Sequence, residues 1–342
     1  MNKKILVTGG TGYIGSHTAV ELQNCGYEVL IVDNLANSNE NIVSQIEKIT
    51  GIRPGFTQLD LCDRQATLDY FQKHSDISGV IHFAAYKAVG ESTEKPLMYY
   101  QNNLGSLTNM MEAMASIGCK HLVFSSSCTV YGQPAELPVS EKAPVKKAMS
   151  PYGNTKQISE EIIFDQCLAG NLEAISLRYF NPIGAHETAL IGELPIGVPN
   201  NLVPFITQTA IGKREMLQVF GDDYNTPDGT CIRDYIHVVD LAKAHIVALE
   251  RLSGENNLER FEIFNLGTGI GYSVLDIILT FEGVNGVKLN YRIAPRRPGD
   301  VEKVWADTTK ANEVLGWKAE LGLEAMLRSA WKWEKFLQNK EI

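Results

Sequence analysis

No stretch of this chain approaches the ~18 continuous apolar residues of a membrane-spanning helix, which argues against an integral membrane protein. Met1-Asn2-Lys3-Lys4 carries the charge of a secretory leader. The apolar run behind it is only Ile5-Leu6-Val7 before glycines interrupt, too short for a leader's core. Positive charge is also scarce. The 31 Lys+Arg against 40 Asp+Glu leave a net charge of −9, which disfavours nucleic acid and anionic membranes as partners. The six cysteines, Cys25, Cys62, Cys119, Cys128, Cys167 and Cys231, include no Cys-x-x-Cys pair. They read as reduced, mostly buried thiols of a cytoplasmic protein rather than a disulfide framework. The seven histidines show no ligand spacing, so no metal site is expected. Internal repeats and low-complexity linkers are likewise absent.

Core-forming residues are plentiful. Hydrophobic residues make up 44% of 342, enough for two domains or one large one. The first stretch sets the pattern. An apolar run, Ile5-Leu6-Val7, ends in Thr8-Gly9-Gly10-Thr11-Gly12-Tyr13-Ile14-Gly15, and an amphipathic segment over 16–24 follows. That is strand, tight turn, helix. Glycines at 9, 12 and 15 let the backbone turn, approach a pyrophosphate and pack helix on strand. Helix amides and dipole then face the phosphates.

A second strand over 27–35 carries Asp33, close to where a carboxylate receives the adenosine ribose hydroxyls. A carboxylate there repels a 2′-phosphate, so the reading is NAD rather than NADP. Helix, strand (54–61, with Asp60), helix (64–74) and strand (79–85) continue the alternation. It predicts an α/β fold, a Rossmann-type doubly wound parallel sheet with right-handed crossovers. A helix over 102–117 has a methionine-rich face that reads as core or subunit contact. A strand over 121–125 runs into a serine cluster. Pro151 opens a helix reaching about 168, and a strand over 174–181 follows. The alternation lapses from 182 to about 229, with a helix over 202–213, and resumes over 239–266. The expected division is an NAD-binding domain over 1–181, completed by about 236–266. A smaller mixed α/β substrate domain takes 182–235 and 267–342.

Tyr152 and Lys156 stand one turn apart at a helix start, on one face. A free tyrosine has a pKa near ~10, and a neighbouring ammonium with a nicotinamide cation favours its phenolate. Such a tyrosine can take a proton from a sugar hydroxyl as hydride leaves the same carbon. A serine of the upstream cluster can hold the reacting oxygen against it.

At this point the chain resembles the extended short-chain dehydrogenase/reductases, and among them the UDP-galactose/UDP-glucose 4-epimerase family, over essentially its whole length. The markers are the glycine turn, 82–92, Ser125-Ser126-Ser127-Cys128-Thr129-Val130-Tyr131-Gly132, Tyr152-x-x-x-Lys156, 178–182, 199–202, 233–238 and Arg296-Arg297-x-Gly299-Asp300. The resemblance implies tightly bound NAD, regenerated each cycle. It implies reversible 4-epimerisation of a UDP-sugar through a transient 4-keto sugar and bound NADH. Tyr152, Lys156 and Ser127 would be catalytic. Gly9, Gly12, Gly15, Tyr13, Ile14, Asp33, Asn34, Asn37 and Ser38 would hold the adenosine and pyrophosphate half of NAD. Asp60 and Leu61 would flank the adenine. Phe83, Ala84, Lys87, Asn102 and Phe180 would line the cofactor toward its nicotinamide end, with Tyr152 and Lys156 beside it. Asn181, Asn201, Leu202, Phe220, Arg233, Tyr235, Arg297 and Asp300 would grip the UDP-sugar, with Ser127 and Tyr152. Arginines suit a diphosphate and aromatics a uracil face. A homodimer through the helices near 102–117 and 152–168 is implied as well.

Two alternatives share the fold. Nucleotide-sugar 4,6-dehydratases carry Thr-Asp-Glu where this chain has Ser127-Cys128-Thr129, so elimination lacks its acid here. A non-catalytic NAD-binding sensor is disfavoured by the presence of Ser127, Tyr152 and Lys156 together. Val304 aligns with a gate beside the sugar 2-position. A small residue there leaves room for an N-acetyl group, which extends the expectation to UDP-GlcNAc and UDP-GalNAc.

Overall fold

The computed structural model describes residues 3–297 and 300–339; Gly299 of the arginine–aspartate segment lies outside them. Six strands alternate with helices from the start of the chain. They are β1 (Lys4–Thr8), β2 (Glu28–Asp33), β3 (Gly55–Gln58), β4 (Ile77–His82), β5 (His121–Ser127) and β6 (Glu173–Tyr179). The helices between them are α1 (Tyr13–Asn24), α2 (Asn41–Thr50), α3 (Arg64–Lys73), α4 (Val89–Glu94), α5 (Pro96–Ser116) and α6 (Pro151–Leu168). Then β7 (Asn181–Ile183), α7 (Leu202–Ala210), β8 (Leu217–Phe220) and β9 (Ile232–His237) leave the large sheet. Helix α8 (Val238–Ser253) and strand β10 (Phe261–Leu266) return to it. The sheet order is β10-β6-β5-β4-β1-β2-β3, with every neighbouring pair parallel. It is a doubly wound Rossmann-type sheet.

Strands buried on both faces read as continuous apolar runs. Ile5, Leu6 and Val7 are accordingly at most 1% exposed. Alternate side chains feed two cores. Ile5 and Val7 join Val20, Ile46, Leu241 and Leu249 on the face covered by α1, α2 and α8. Leu6 joins Phe71, Leu107, Met110 and Ile163 on the face covered by α3, α5 and α6. The methionine face of α5 is core.

The rest of the chain adds β11 (Gly271–Ser273), α9 (Val274–Asn285), β12 (Tyr291–Ala294), β13 (Lys303–Val304) and α10 (Leu323–Gln338). Strands β11, β9 and β13 pair side by side, and β7 pairs with β9. Strands β8 and β12 form a separate two-stranded sheet. A third core, with Val203, Tyr235, Phe281, Leu327 and Trp331, holds these parts together.

Several boundaries differ from expectation. Strand β3 ends at Gln58, so Asp60 stands in the loop beyond it. Strand β4 ends at His82, which frees Phe83 to Ala85 to form the lip of the sheet. The run expected as one strand over 174–181 divides at Phe180 and serves two sheets. Helix α5 starts at Pro96, earlier than the expected 102, with proline in its first turn. All six cysteines are free, but only Cys119, Cys167 and Cys231 are buried. Cys25 caps the exposed end of α1, and Cys62 lies in the loop after β3. Among the described residues no helix is long and apolar enough to cross a membrane. None of them form a cluster of three or more His, Cys, Asp or Glu able to hold a metal.

Candidate active site

The chain leaves β1 toward β2 on one side and β4 toward β5 on the other, so a crevice opens between the carboxyl ends of β1 and β4. The glycine turn fills its floor. Gly9 has φ +68°, and a Cβ there would meet the Ala84 amide nitrogen at 2.8 Å. A Cβ on Gly15 would come within 2.4 Å of the Gly9 carbonyl oxygen. Helix α1 thereby packs against the turn, and its N-cap, Gly12, places no side chain over the first amides. The Tyr13 hydroxyl donates to the Gly184 carbonyl at 2.6 Å. What Tyr13 and Ile14 offer a phosphate is therefore backbone N–H at the first helical turn.

Asp33 ends β2 beside this turn. Its Oδ2 accepts from the Thr11 amide at 3.2 Å, and its Oδ1 from the Leu35 amide at 2.9 Å and the Ser38 hydroxyl at 3.1 Å. Thr11 and Ser38 hydroxyls meet at 2.7 Å. The loop bearing Asn34, Asn37 and Ser38 is thus tied to the glycine turn. Asp60 is exposed and accepts from the Cys62 amide at 2.9 Å, whereas Leu61 is buried beneath it at 4% exposure. Across the crevice, the Phe83 amide donates to the Thr8 carbonyl at 3.0 Å. The Phe83 ring lies 4.7 Å from that of His245. Asn102 donates to Asn103 Oδ1 at 2.9 Å, and that same oxygen receives the Tyr86 amide at 2.8 Å.

The serine cluster ends β5, next to β6, with Ser127 in register with Tyr179. Its three hydroxyls have different partners. Ser125 pairs with the Tyr179 hydroxyl, and Ser126 donates to Glu160 Oε1 at 2.6 Å. The Ser127 side chain lies near enough to the Tyr152 phenol to act on it, lowering that group's pKa. Ser127 also accepts the Thr129 amide at 3.2 Å. Helix α6 starts at Pro151 because the Ser150 hydroxyl accepts from the Gly153 amide at 3.1 Å, and proline suits the first helical position. That start aims Tyr152 at Ser127.

Burial dominates the electrostatics. It pushes the Tyr152 phenol well above its ordinary value, and the nearby Tyr179 adds to this. Burial brings Lys156 down to about 8, opposed by the Glu160 carboxylate. Lys156 Nζ donates to the Ser125 carbonyl at 2.6 Å and lies 4.7 Å over the Phe124 ring. In the protein alone the ammonium is therefore anchored to the β5 backbone. A further cation beside the phenol, such as a bound nicotinamide would supply, would favour its ionisation.

The second half carries its expected residues on three sets of elements. Asn181 on β7 is in register with Tyr235 on β9. Phe180, 2% exposed, precedes it and donates its amide to the Leu266 carbonyl at 3.1 Å. Arg233 Nη1 donates to the Ile232 carbonyl at 2.9 Å, and Val304 lies in register with Arg233. Val304 packs with Val130, Phe180 and Cys128. Asn201 is the N-cap of α7 and Leu202 its first residue. Phe220, 38% exposed, ends β8, with the Arg297 guanidinium 5.7 Å from its ring. Arg297 pairs with Asp300 at 2.7 Å.

Asp234 and Glu160 are buried and Glu193 is half-buried near these residues, and the sequence assigns none of the three a role. Asp234 accepts the Thr268, Gly269 and Ala306 amides at 2.9, 3.0 and 3.1 Å, which fixes β9 beneath Arg233. Its only sequence signal was its place between two named residues. Glu160, two turns beyond Tyr152, was legible as an acid on the face of Lys156. Glu193, in the irregular stretch, had no signal.

A doubly wound sheet with a glycine turn at its switch point, facing a Ser–Tyr–Lys set, defines an extended short-chain dehydrogenase/reductase. A family model described as GDP-mannose 4,6 dehydratase matches residues 6–330, and the UDP-glucose 4-epimerase of Bacillus subtilis (strain 168) is 50% identical over 331 residues, 96% of each chain. The chain belongs to the UDP-glucose 4-epimerase family. The Mus musculus UDP-glucose 4-epimerase is 48% identical over 340 residues, covering 97% of each chain. Among solved structures, the UDP-glucose-4-epimerase of Stenotrophomonas maltophila, with bound NAD and formylated UDP-arabinopyranose, has a TM-score of 0.95 at 48% identity, covering 99% of each chain. The UDP-Glc/GlcNAc 4-epimerase of Campylobacter jejuni has a TM-score of 0.84 at 36% identity, covering 98% of this chain and 100% of that one.

Proposed function

We propose that this chain interconverts UDP-glucose and UDP-galactose at C4, with Tyr152 as the proton carrier. It is an NAD-dependent isomerase. The observation that carries the residue assignment is the meeting of Ser127 and Tyr152 at the end of β5, with Lys156 one turn behind. The turn at Gly9 and Gly15 suits a dinucleotide, because a Cβ at either position would collide with backbone. Bound NAD supplies a hydride acceptor and donor for the sugar C4. Tyr152 takes the proton from the sugar O4 as C4 is oxidised, and Ser127 holds that oxygen. The 4-keto sugar turns about its link to the diphosphate while Arg233, Arg297 and Asp300 keep the nucleotide in place. Tyr152 then returns the proton as C4 is reduced on its other face. Atoms and electrons balance over one cycle, so no external reductant is consumed.

The dehydratase reading is not favoured. Burial raises the Cys128 thiol to about 12, and neither it nor Thr129 is the carboxylic acid that elimination needs. The deciding assay is conversion of UDP-galactose to UDP-glucose without added reductant. NAD retained with no turnover points instead to a sensor.

The valine at 304 and the similarity to a UDP-Glc/GlcNAc 4-epimerase support N-acetylated UDP-sugars as further substrates. Exposed Phe164 and Leu168, one turn apart on α6, support a homodimer through α5 and α6. Six free thiols support a cytoplasmic location.

A further inference from the structure

Glu193 lies outside every motif of the site, between β7 and α7. Its backbone is clamped. Trp333 of α10 donates its indole N–H to the Glu193 carbonyl at 2.8 Å. Gly192 lies against that indole, where a Cβ would meet Trp333 Cγ at 2.6 Å. The carboxylate is carried to a fixed place and is 12% exposed. Two donors reach the same oxygen, Oε1. Asn201 Nδ2 is at 2.6 Å and Lys87 Nζ at 3.4 Å. Lys87 stands in the loop after β4, on the cofactor side of the crevice. Asn201 caps α7, on the UDP-sugar side. The charge is felt at the glycine turn as well, where Glu193 adds to the burial that raises the Tyr13 phenol.

We propose that Glu193 is a positioning residue that holds Lys87 and Asn201 from one carboxylate oxygen, joining the cofactor site to the UDP-sugar site. This rests on the reading above in which Lys87 contacts the cofactor and Asn201 the UDP-sugar. The two contacts differ in kind. The short one to Asn201 is a neutral amide donor on an acceptor oxygen, which a glutamine carbonyl can replace. The longer one, to a half-exposed ammonium, depends on charge.

The test uses the full-length holoenzyme. NAD is measured as the fraction retained after repeated gel filtration, and UDP affinity by calorimetry. Glu193→Ala speeds NAD loss and weakens UDP, each by about threefold to tenfold, in the lower part of the range of coupling within one hydrogen-bonded network. Glu193→Gln restores UDP affinity but not NAD retention. In a Lys87→Met background Glu193→Gln speeds NAD loss no further. Equal effects of E193A and E193Q on both ligands, or additive effects in the double variant, mean general support of the fold and overturn the proposal. If E193A does not fold, E193Q and its double with K87M decide alone. Lys87→Met with unchanged NAD retention, or Asn201→Ala with unchanged UDP affinity, refutes the reading of the site and the proposal with it. Both singles acting as expected while E193Q retains NAD normally refutes the proposal alone.

Discussion

Glu160 and Arg178 face each other across the seam between α6 and β6 as a buried, two-pronged ion pair. Arg178 Nε lies 3.0 and 3.2 Å from the two carboxylate oxygens, and the side chains are 4% and 8% exposed. Ser126 and Ser176 donate to Glu160 Oε1 at 2.6 and 2.8 Å. The pair thus pins the catalytic helix to the strand bearing Tyr179. The same carboxylate keeps Lys156 from falling further below its ordinary value.

Two outcomes are expected at this pair. The Lys156 ammonium is lost as pH rises through about 8, so turnover that depends on it declines on that alkaline side. Glu160→Gln removes the opposing charge, lowers the Lys156 pKa and moves the decline to lower pH. A pH profile of kcat with an unmoved alkaline limb counts against the coupling. Separately, Arg178→Met leaves a buried carboxylate without its counter-charge and costs about 3–5 kcal/mol in denaturant unfolding. Replacing both partners with methionine recovers much of that loss.

Tyr152→Phe keeps the ring and removes the proton carrier. NAD and UDP binding are expected to persist while kcat falls about 10²–10⁴-fold, the usual range for losing a general acid–base group. A near-normal rate would falsify the assignment of the base.

Asp33→Ser deletes the acceptor of the Thr11 and Leu35 amides along with the charge. The expected result is weaker NAD retention, with the preference for NAD over NADP relaxed by about tenfold, ~1.4 kcal/mol. Competition between the two dinucleotides for stripped protein reads this directly, and an unchanged preference rejects the repulsion argument.

Val304→Tyr puts a ring beside Arg233 and Cys128. Turnover of UDP-GlcNAc is expected to be abolished while UDP-galactose is spared. Parallel loss of both activities would mean disrupted packing rather than a gate.

The sheet was legible because strands buried on both faces, such as 5–7 and 29–32, leave unbroken apolar runs. Helix α6 was legible to its ends, since Ser150 and Pro151 announce its start. The division at Phe180 was not. Residues 174–181 read as one extended strand, and only tertiary pairing assigns its two parts to different sheets. Of the serines, Ser127 could be chosen from the sequence only by family pattern, because the partners that occupy Ser125 and Ser126 lie on other elements. Glu193 was invisible for the same reason. Its indole clamp and its lysine partner come from distant segments, and Asn201 from farther along its own irregular stretch.

Phe180 alone separates the end of β6 from the start of β7, and its own amide is already bonded to the Leu266 carbonyl. Along this crossing, any swing of one sheet against the other would have to be absorbed at a single buried residue. That junction suits a rigid jig rather than a clamp. On the proposed reading, the nucleotide would be fastened at one end and the nicotinamide at the other, which leaves the sugar ring to turn over between them.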